Sequence, residues 1–145
     1  MNTAGNRGER QLLRVVLDTN VFISAFLSPK GSSGRAWELA RGRKYRLVTS
    51  PYIVTEVAGT LRRRFSWSEE KIVQRLKQIS RAADIVQPTT SFQVIRDPKD
   101  NPIVECAVDG KAVMIVSLDK DLLALKSYNN IPVLHVVELL RTLGK

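Results

Sequence analysis

The chain has 145 residues, the size of one compact domain, and 43% of them are hydrophobic, a globular rather than disordered composition. Lys and Arg number 23 against 14 Asp and Glu, a net charge of +9, so the expected partner is a polyanion, with nucleic acid ahead of an anionic membrane surface. The single cysteine, Cys106, excludes an intrachain disulfide, and with only one histidine it argues against structural zinc. No apolar run reaches the ~20 residues of a membrane span. The polar stretch Met1 to Gln11 lacks the apolar core of a signal peptide. It reads as a disordered tail ahead of one domain over 12–145, and a cytoplasmic location is expected.

In chain order, Leu12 to Leu17 is short, apolar and partly β-branched, which predicts a buried strand ending at Asp18-Thr19-Asn20. Val21 to Leu27 predicts a short helix, broken by Ser28-Pro29-Lys30-Gly31. Ser32 or Ser33 can cap a second helix to about Lys44, and Tyr45 to Thr49 reads as a second strand. Ser50-Pro51 combines a capping hydroxyl with proline at the first helical position, so a helix runs to about Phe65. Ser66-Trp67-Ser68-Glu69 contains a capping-box pattern for the next helix, whose Ile72, Leu76, Ile79 and Ala83 share a face. Ala83 to Val86 is a candidate third strand, and Pro88 to Arg96 has no clear pattern. Asp97 to Pro102 reads as a turn feeding a helix to about Gly110, and Ala112 to Ser117 as a buried strand. A short helix over Asp119 to Leu125, a strand over Val133 to His135 and a helix over Val137 to Leu143 complete the chain. Alternation of strands and helices predicts an α/β fold with a mostly parallel sheet covered on both faces.

Ligands of open α/β sheets sit beyond the carboxyl ends of the strands. Asp18 ends the first strand and Asp119 follows the strand Val113 to Val116, while Glu56 and Asp100 stand early in helices. Four distant acids can thus converge on one rim. Gathered carboxylates repel and raise each other's pKa, a cost that a divalent cation removes. Hard Mg²⁺ or Mn²⁺ suits an all-oxygen site, where it can activate a water and offset charge on a phosphate. Each acid also has a plainer reading. Asp100 and Asp119 fit helix caps, and Glu56 fits an ordinary solvated helix position. Asp18 is hardest to explain that way, because a charge among apolar neighbours needs a partner.

Val16-Leu17-Asp18-Thr19-Asn20-Val21 resembles the first motif of PIN-domain nucleases. Ser50-Pro51 through Glu56 resembles the second, Asp100 with Ile103 and Ala107 the third, and Ile115 to Asp119 the fourth. Four weak motifs in order are strong together. The resemblance implies a Rossmann-like three-layer α/β/α fold and a Mg²⁺- or Mn²⁺-dependent endoribonuclease with Asp18, Glu56, Asp100 and Asp119 as its catalytic and metal-binding acids. It further implies a toxin of a toxin–antitoxin pair (VapC-like), with an antitoxin protein as partner and a homodimeric state. Ser117 stands where the fourth motif commonly has Thr, and keeps the hydroxyl. Asp97 and Asp121 are reserve acids, and Asn20 suits either a bond to a ligating acid or a capping role.

The basic residues cluster as Arg43 and Lys44 after the second helix and Arg62, Arg63 and Arg64 at the end of the helix carrying Glu56. Phosphate contact explains them, and so does the helix dipole. Cys106 and His135 read as structural. Competing functions are a binding module without catalysis, an RNA-processing or DNA-acting nuclease, and a phosphotransferase using Asp18 as nucleophile. The last is the poorest fit, since Asn20 stands where such enzymes carry a second acid. A dinucleotide site lacks its glycine-rich turn.

Overall fold

The computed structural model describes residues 11–89 and 101–145. Its centre is a sheet of β1 (Arg14–Leu17), β2 (Arg46–Thr49), β3 (Ala83–Ile85), β4 (Met114–Ser117), β5 (Ser127–Tyr128) and β6 (Ile131–His135). The spatial order is β3-β2-β1-β4-β6-β5, parallel except for the β5–β6 pair. The middle strands β1 and β4 are apolar and buried on both faces, as the unbroken runs Val15-Val16-Leu17 and Met114-Ile115-Val116 require.

Right-handed crossovers determine which face each helix covers. α1 (Thr19–Leu27) and α2 (Ser32–Arg41) link β1 to β2, and α3 (Pro51–Phe65) and α4 (Glu69–Ala82) link β2 to β3. All four therefore lie on one face. The next crossover returns past β2 and β1 to β4 and carries α5 (Asn101–Asp109) to the opposite face. α6 (Lys120–Ala124) follows β4, and α7 (Val136–Thr142) closes the chain against α2. The result is the expected mostly parallel α/β/α sandwich. Successive strands are added on one side of β1 up to β3 and on the other side from β4, so the point between β1 and β4 is the topological switch point at which such sheets open a crevice.

Helix starts follow the expected chemistry in part. Ser50 caps α3 by accepting a hydrogen bond from the Ile53 N–H, with Pro51 next. The second helix differs: Gly31, not Ser32 or Ser33, is its cap, and no side chain bonds there. The capping-box pattern also resolves otherwise. Ser66 takes a left-handed conformation that ends α3, and Ser68 caps α4 through the Lys71 N–H. Glu69 is drawn instead to the fork of Arg62. The hairpin strand β5 was not expected from the sequence, because two residues are too few for any periodicity. Part of the patternless stretch Pro88 to Arg96, and the turn through Asp97 and Asp100, lie outside the described residues.

The turn between α1 and α2 is held at close quarters. A Cβ on Gly34 would fall on the backbone carbonyl of Pro29, far inside van der Waals contact. Gly34→Ala is therefore expected to cost at least about 3 kcal/mol of folding free energy, measured by urea denaturation, because backbone rather than a flexible side chain must move. A loss below 1 kcal/mol in that measurement would show that the turn is not fixed by this contact.

Candidate active site

Asp18 terminates β1 and caps α1. Its backbone N–H continues the ladder to the Val116 carbonyl at 2.8 Å. Its Oδ1 accepts from the Thr19 N–H at 2.7 Å, and its Oδ2 accepts from the Ser117 hydroxyl at 2.7 Å. The pairing register, Leu17 opposite Val116, carries the two chain ends beyond the sheet side by side. The Ser117 Oγ in turn accepts from the Asp119 N–H at 2.9 Å, and Asp119 caps α6 through the Asp121 N–H at 2.9 Å. Asn20 accepts from the Leu118 N–H at 3.2 Å and bonds the Asp18 carboxyl through its side chain. One hydrogen-bonded web thus joins the ends of β1 and β4.

Beside this web lies a cleft of about 520 Å³ lined by Asp18, Asp119, Asn20 and, from α3, Tyr52, Glu56, Thr60 and Arg64. Those four α3 residues recur every fourth position, so they form a stripe along one helix face. Leu27, Ile103 and Phe65 supply apolar lining. Tyr52 and Phe65 keep 42% and 40% of their surface exposed, and the Arg64 guanidinium lies 5.9 Å from the centre of the Phe65 ring.

Against this geometry stand three comparisons. A sequence profile of the PIN domain matches residues 14–121. The uncharacterized protein MJ1680 of Methanocaldococcus jannaschii is 36% identical over 125 residues, which cover 83% of this chain and 80% of that protein. The chain belongs to the PIN-domain family. Its fold is similar to the crystal structure of PAE2754 from Pyrobaculum aerophilum, with TM-score 0.61 and 16% identity, covering 91% of this chain and 90% of the other. It is also similar to VapBC2 from Rickettsia felis, solved bound to a DNA fragment from their promoter, with TM-score 0.59, 16% identity, 83% of this chain and 97% of the other. PIN domains are generally nucleases, and PIN-domain nucleases generally use divalent metal ions.

Of the acids expected from the sequence, Asp18, Glu56 and Asp119 line this PIN-domain cleft together. Asp97 and Asp100 lie outside the described residues. Asp121 is exposed and contributes its backbone to Asp119, so it supports the turn and does not line the cleft. Among the described residues no three Asp, Glu, His or Cys side chains already stand close enough to enclose a metal. The donors that line the cleft are all oxygen, the type Mg²⁺ and Mn²⁺ prefer. Asp18 also feels the charge of Asp119, a repulsion that a cation between them would relieve.

The arginine triplet divides in three directions. Arg62 pairs with Glu69, Arg63 lies where a Cβ on Gly59 would meet its guanidinium at 2.6 Å, and Arg64 lines the cleft. Arg43 and Lys44 precede β2, at the opposite end of the sheet, and do not border the acids. Sequence reading missed Tyr52, Thr60 and Phe65. The four-residue spacing from Glu56 was the available signal for the first two. Cys106 is fully buried, and burial pushes its thiol up to about 12, as befits a core residue rather than a nucleophile. His135 caps α7 through the Val137 N–H at 3.2 Å, the structural role expected of it.

Burial raises the Asp18 carboxyl above the usual 3.8, and the Asp119 charge adds to this. Bonds from Ser117, Thr19 and Asn20 pull the other way without cancelling it. A carboxyl raised on folding binds its proton more tightly in the folded state. Its contribution is most favourable at pH below 3.8 and is lost as pH rises through the raised folded value. Asp18→Asn should therefore melt above the wild type in EDTA at pH 7, by roughly 2–4 °C for each kcal/mol relieved. The gap should close as pH falls through the range where Asp18 takes up its proton. Equal melting curves at neutral pH would contradict the assignment of Asp18 as a strained charge.

Proposed function

We propose that this PIN domain is a Mg²⁺- or Mn²⁺-dependent endoribonuclease that hydrolyses RNA phosphodiester bonds, and that it is the toxin of a toxin–antitoxin pair. The observation that carries the reading is the convergence of buried Asp18 with Asp119 and Glu56 in one cleft at the switch point, with a cation, Arg64, on the same helix stripe. Asp18, Asp119 and Glu56 would hold the metal, joined by Asp100. When bound, the metal would make an attacking water more acidic and offset negative charge on the phosphate.

The residues of the chain do the rest. Ser117 and Thr19 fix the orientation of the Asp18 carboxylate, so its remaining lone pairs face the cleft. Asn20 ties the same group to the β4–α6 turn. Arg64 stands eight residues after Glu56, about 12 Å along α3, which suits a phosphate next to the one being cut. Phe65, half-exposed at the cleft with Arg64 over its ring, suits contact with an unpaired base, which favours a single strand over a duplex. RNA as the substrate, an antitoxin protein as partner and a homodimeric state rest on the motif resemblance. The toxin–antitoxin assignment draws further support from the fold likeness to VapBC2.

Purified protein should cut single-stranded RNA with Mg²⁺ or Mn²⁺ and not in EDTA, and Asp18→Asn should fall to background while remaining folded. Absence of metal-dependent cutting by the wild type sinks the proposal, and a matched DNA strand cut faster than RNA reassigns the substrate. Ser117→Ala should weaken metal affinity by roughly 10–100-fold in calorimetry, with Ser117→Thr restoring it, because the lost hydroxyl orients a ligand. Arg64→Ala should weaken RNA binding while Arg62→Ala, whose guanidinium is already engaged by Glu69, should not. The reverse order would place the strand on the other side of α3.

A further inference from the structure

A second basic hollow lies at the end of the sheet opposite the acidic cleft. Arg41 and Arg43, at the exit of α2, and Gln78 and Arg81, near the end of α4, line a space of about 240 Å³. Gln78 also lines a neighbouring groove of about 370 Å³ with Phe26, Trp67, Lys71 and Arg75. The two spaces share Gln78 and so lie side by side along α4, and are together called the α2–α4 channel. The groove and the cleft are both bordered by the end of α1 and by the α3–α4 connection: Phe26 and Trp67 line the groove, Leu27 and Phe65 the cleft.

Charge bookkeeping leaves this channel positive. The C-termini of α2 and α4 supply about half a negative charge each. Glu38 supplies one more and pairs with Arg41 at 3.3 Å. Against these stand Arg41, Arg43, Lys71, Arg75 and Arg81, so the described lining leaves roughly three positive charges unbalanced. Burial, and then the charge of Arg41, pull the Arg75 guanidinium below its ordinary value.

The cations are also held in place. The Arg75 guanidinium lies over the Phe26 ring at 4.4 Å and donates to Gln78 at 3.0 Å. The Lys71 ammonium lies over the Trp67 ring at 4.7 Å. A planar guanidinium already fixed loses less freedom on meeting an anion than a free one. Phe26 is buried and serves to seat Arg75, so this surface offers cations to the phosphates of a strand rather than rings to its bases. From Lys71 to Arg81 the helix rises about 15 Å, the length of about four stacked nucleotides.

We propose that the α2–α4 channel extends the substrate site and holds the phosphate backbone of a single strand several nucleotides from the bond that is cut. The proposal rests on the nuclease reading of the cleft and adds a second, remote contact to it.

The test is fluorescence anisotropy of labelled tetrauridylate and dodecauridylate in EDTA, with wild type, the double variant Arg41→Ala/Arg81→Ala, and Arg64→Ala. The wild type should bind the dodecamer more tightly. The double variant should lose roughly tenfold on the dodecamer at physiological salt, with its salt slope smaller by about 1.4, and clearly less on the tetramer, which is too short to engage cleft and channel together. Equal losses at both lengths, no loss at either, or a wild type that does not distinguish the lengths overturns the channel. Loss of binding to a polyglutamate peptide with dodecamer binding intact would assign the surface to an acidic protein and also overturn it. Arg64→Ala should weaken both lengths. If it does, and metal-dependent cutting holds while the double variant is inert, the channel alone falls. If the wild type binds neither length, both readings fall.

Discussion

The site depends on a buried carboxylate at the end of a buried strand. Asp18 cannot escape to water, because β1 is covered on both faces and the ladder to β4 fixes its backbone. Its charge is tolerated only because three local donors converge on it and it caps a helix N-terminus, whose dipole favours an anion. Each donor depends on tertiary structure in a different way. Thr19 comes with the start of α1, Ser117 with the β1–β4 register, and Asn20 with the turn after β4. A one-residue slip between β1 and β4 would turn Ser117 to the other face and leave the charge without the Ser117 hydroxyl. Strand register and site geometry are therefore one constraint.

That dependence explains what could be read from the chain in advance. Asp18 and Asp119 were legible because an acid directly after an apolar β-branched run has few positions to occupy, and parallel strands send such positions to one edge. Ser50-Pro51 was legible because its cap chemistry is local. The failures come from competition between local options. Glu69 fitted a capping box by spacing, but Arg62 offers a two-pronged partner across the α3–α4 turn. Ser32 and Ser33 fitted a cap, yet the chain needs Gly34 against Pro29, and that packing leaves Gly31 at the cap. Which of three consecutive arginines faces the cleft is a matter of helical phase. Counting turns from Glu56 gives Arg64, whereas grouping the triplet as one cluster conceals it.

The net charge of +9 is likewise not a single surface. Arg14 reaches Asp84 and the Gly110 carbonyl and ties β1 to β3 and to the end of α5. Arg62 and Arg141 are engaged with Glu69 and Glu138. Among the rest, Arg64 lines the cleft, and Arg41, Arg43, Lys71, Arg75 and Arg81 line the α2–α4 channel. Exposed ion pairs such as these contribute little stability, so the argument from charge concerns where the field emerges, not how the fold is held. On the proposed reading, a field that emerges beside the acids and again along α4 would draw an anionic strand along the same face.

The acids of the cleft also differ in how firmly they are held. Asp18 and Asp119 are short side chains locked by cap hydrogen bonds at strand ends, so their orientation is established on folding. Glu56 is longer, sits mid-helix, and has no hydrogen-bonding or ionic partner among the described residues. Ordering such a side chain costs up to about 2 kcal/mol of rotamer entropy. The asymmetry assigns the two kinds of acid different work. The aspartates set where positive charge is most favourable, since their mutual repulsion is strongest there and is already present in the fold. In the proposed metal site, Glu56 would follow whatever occupies that point and give up its entropy only on binding. A rigid pair with one adaptable arm is therefore selective in position while tolerating small differences in the size of the cation or the path of the strand beside it.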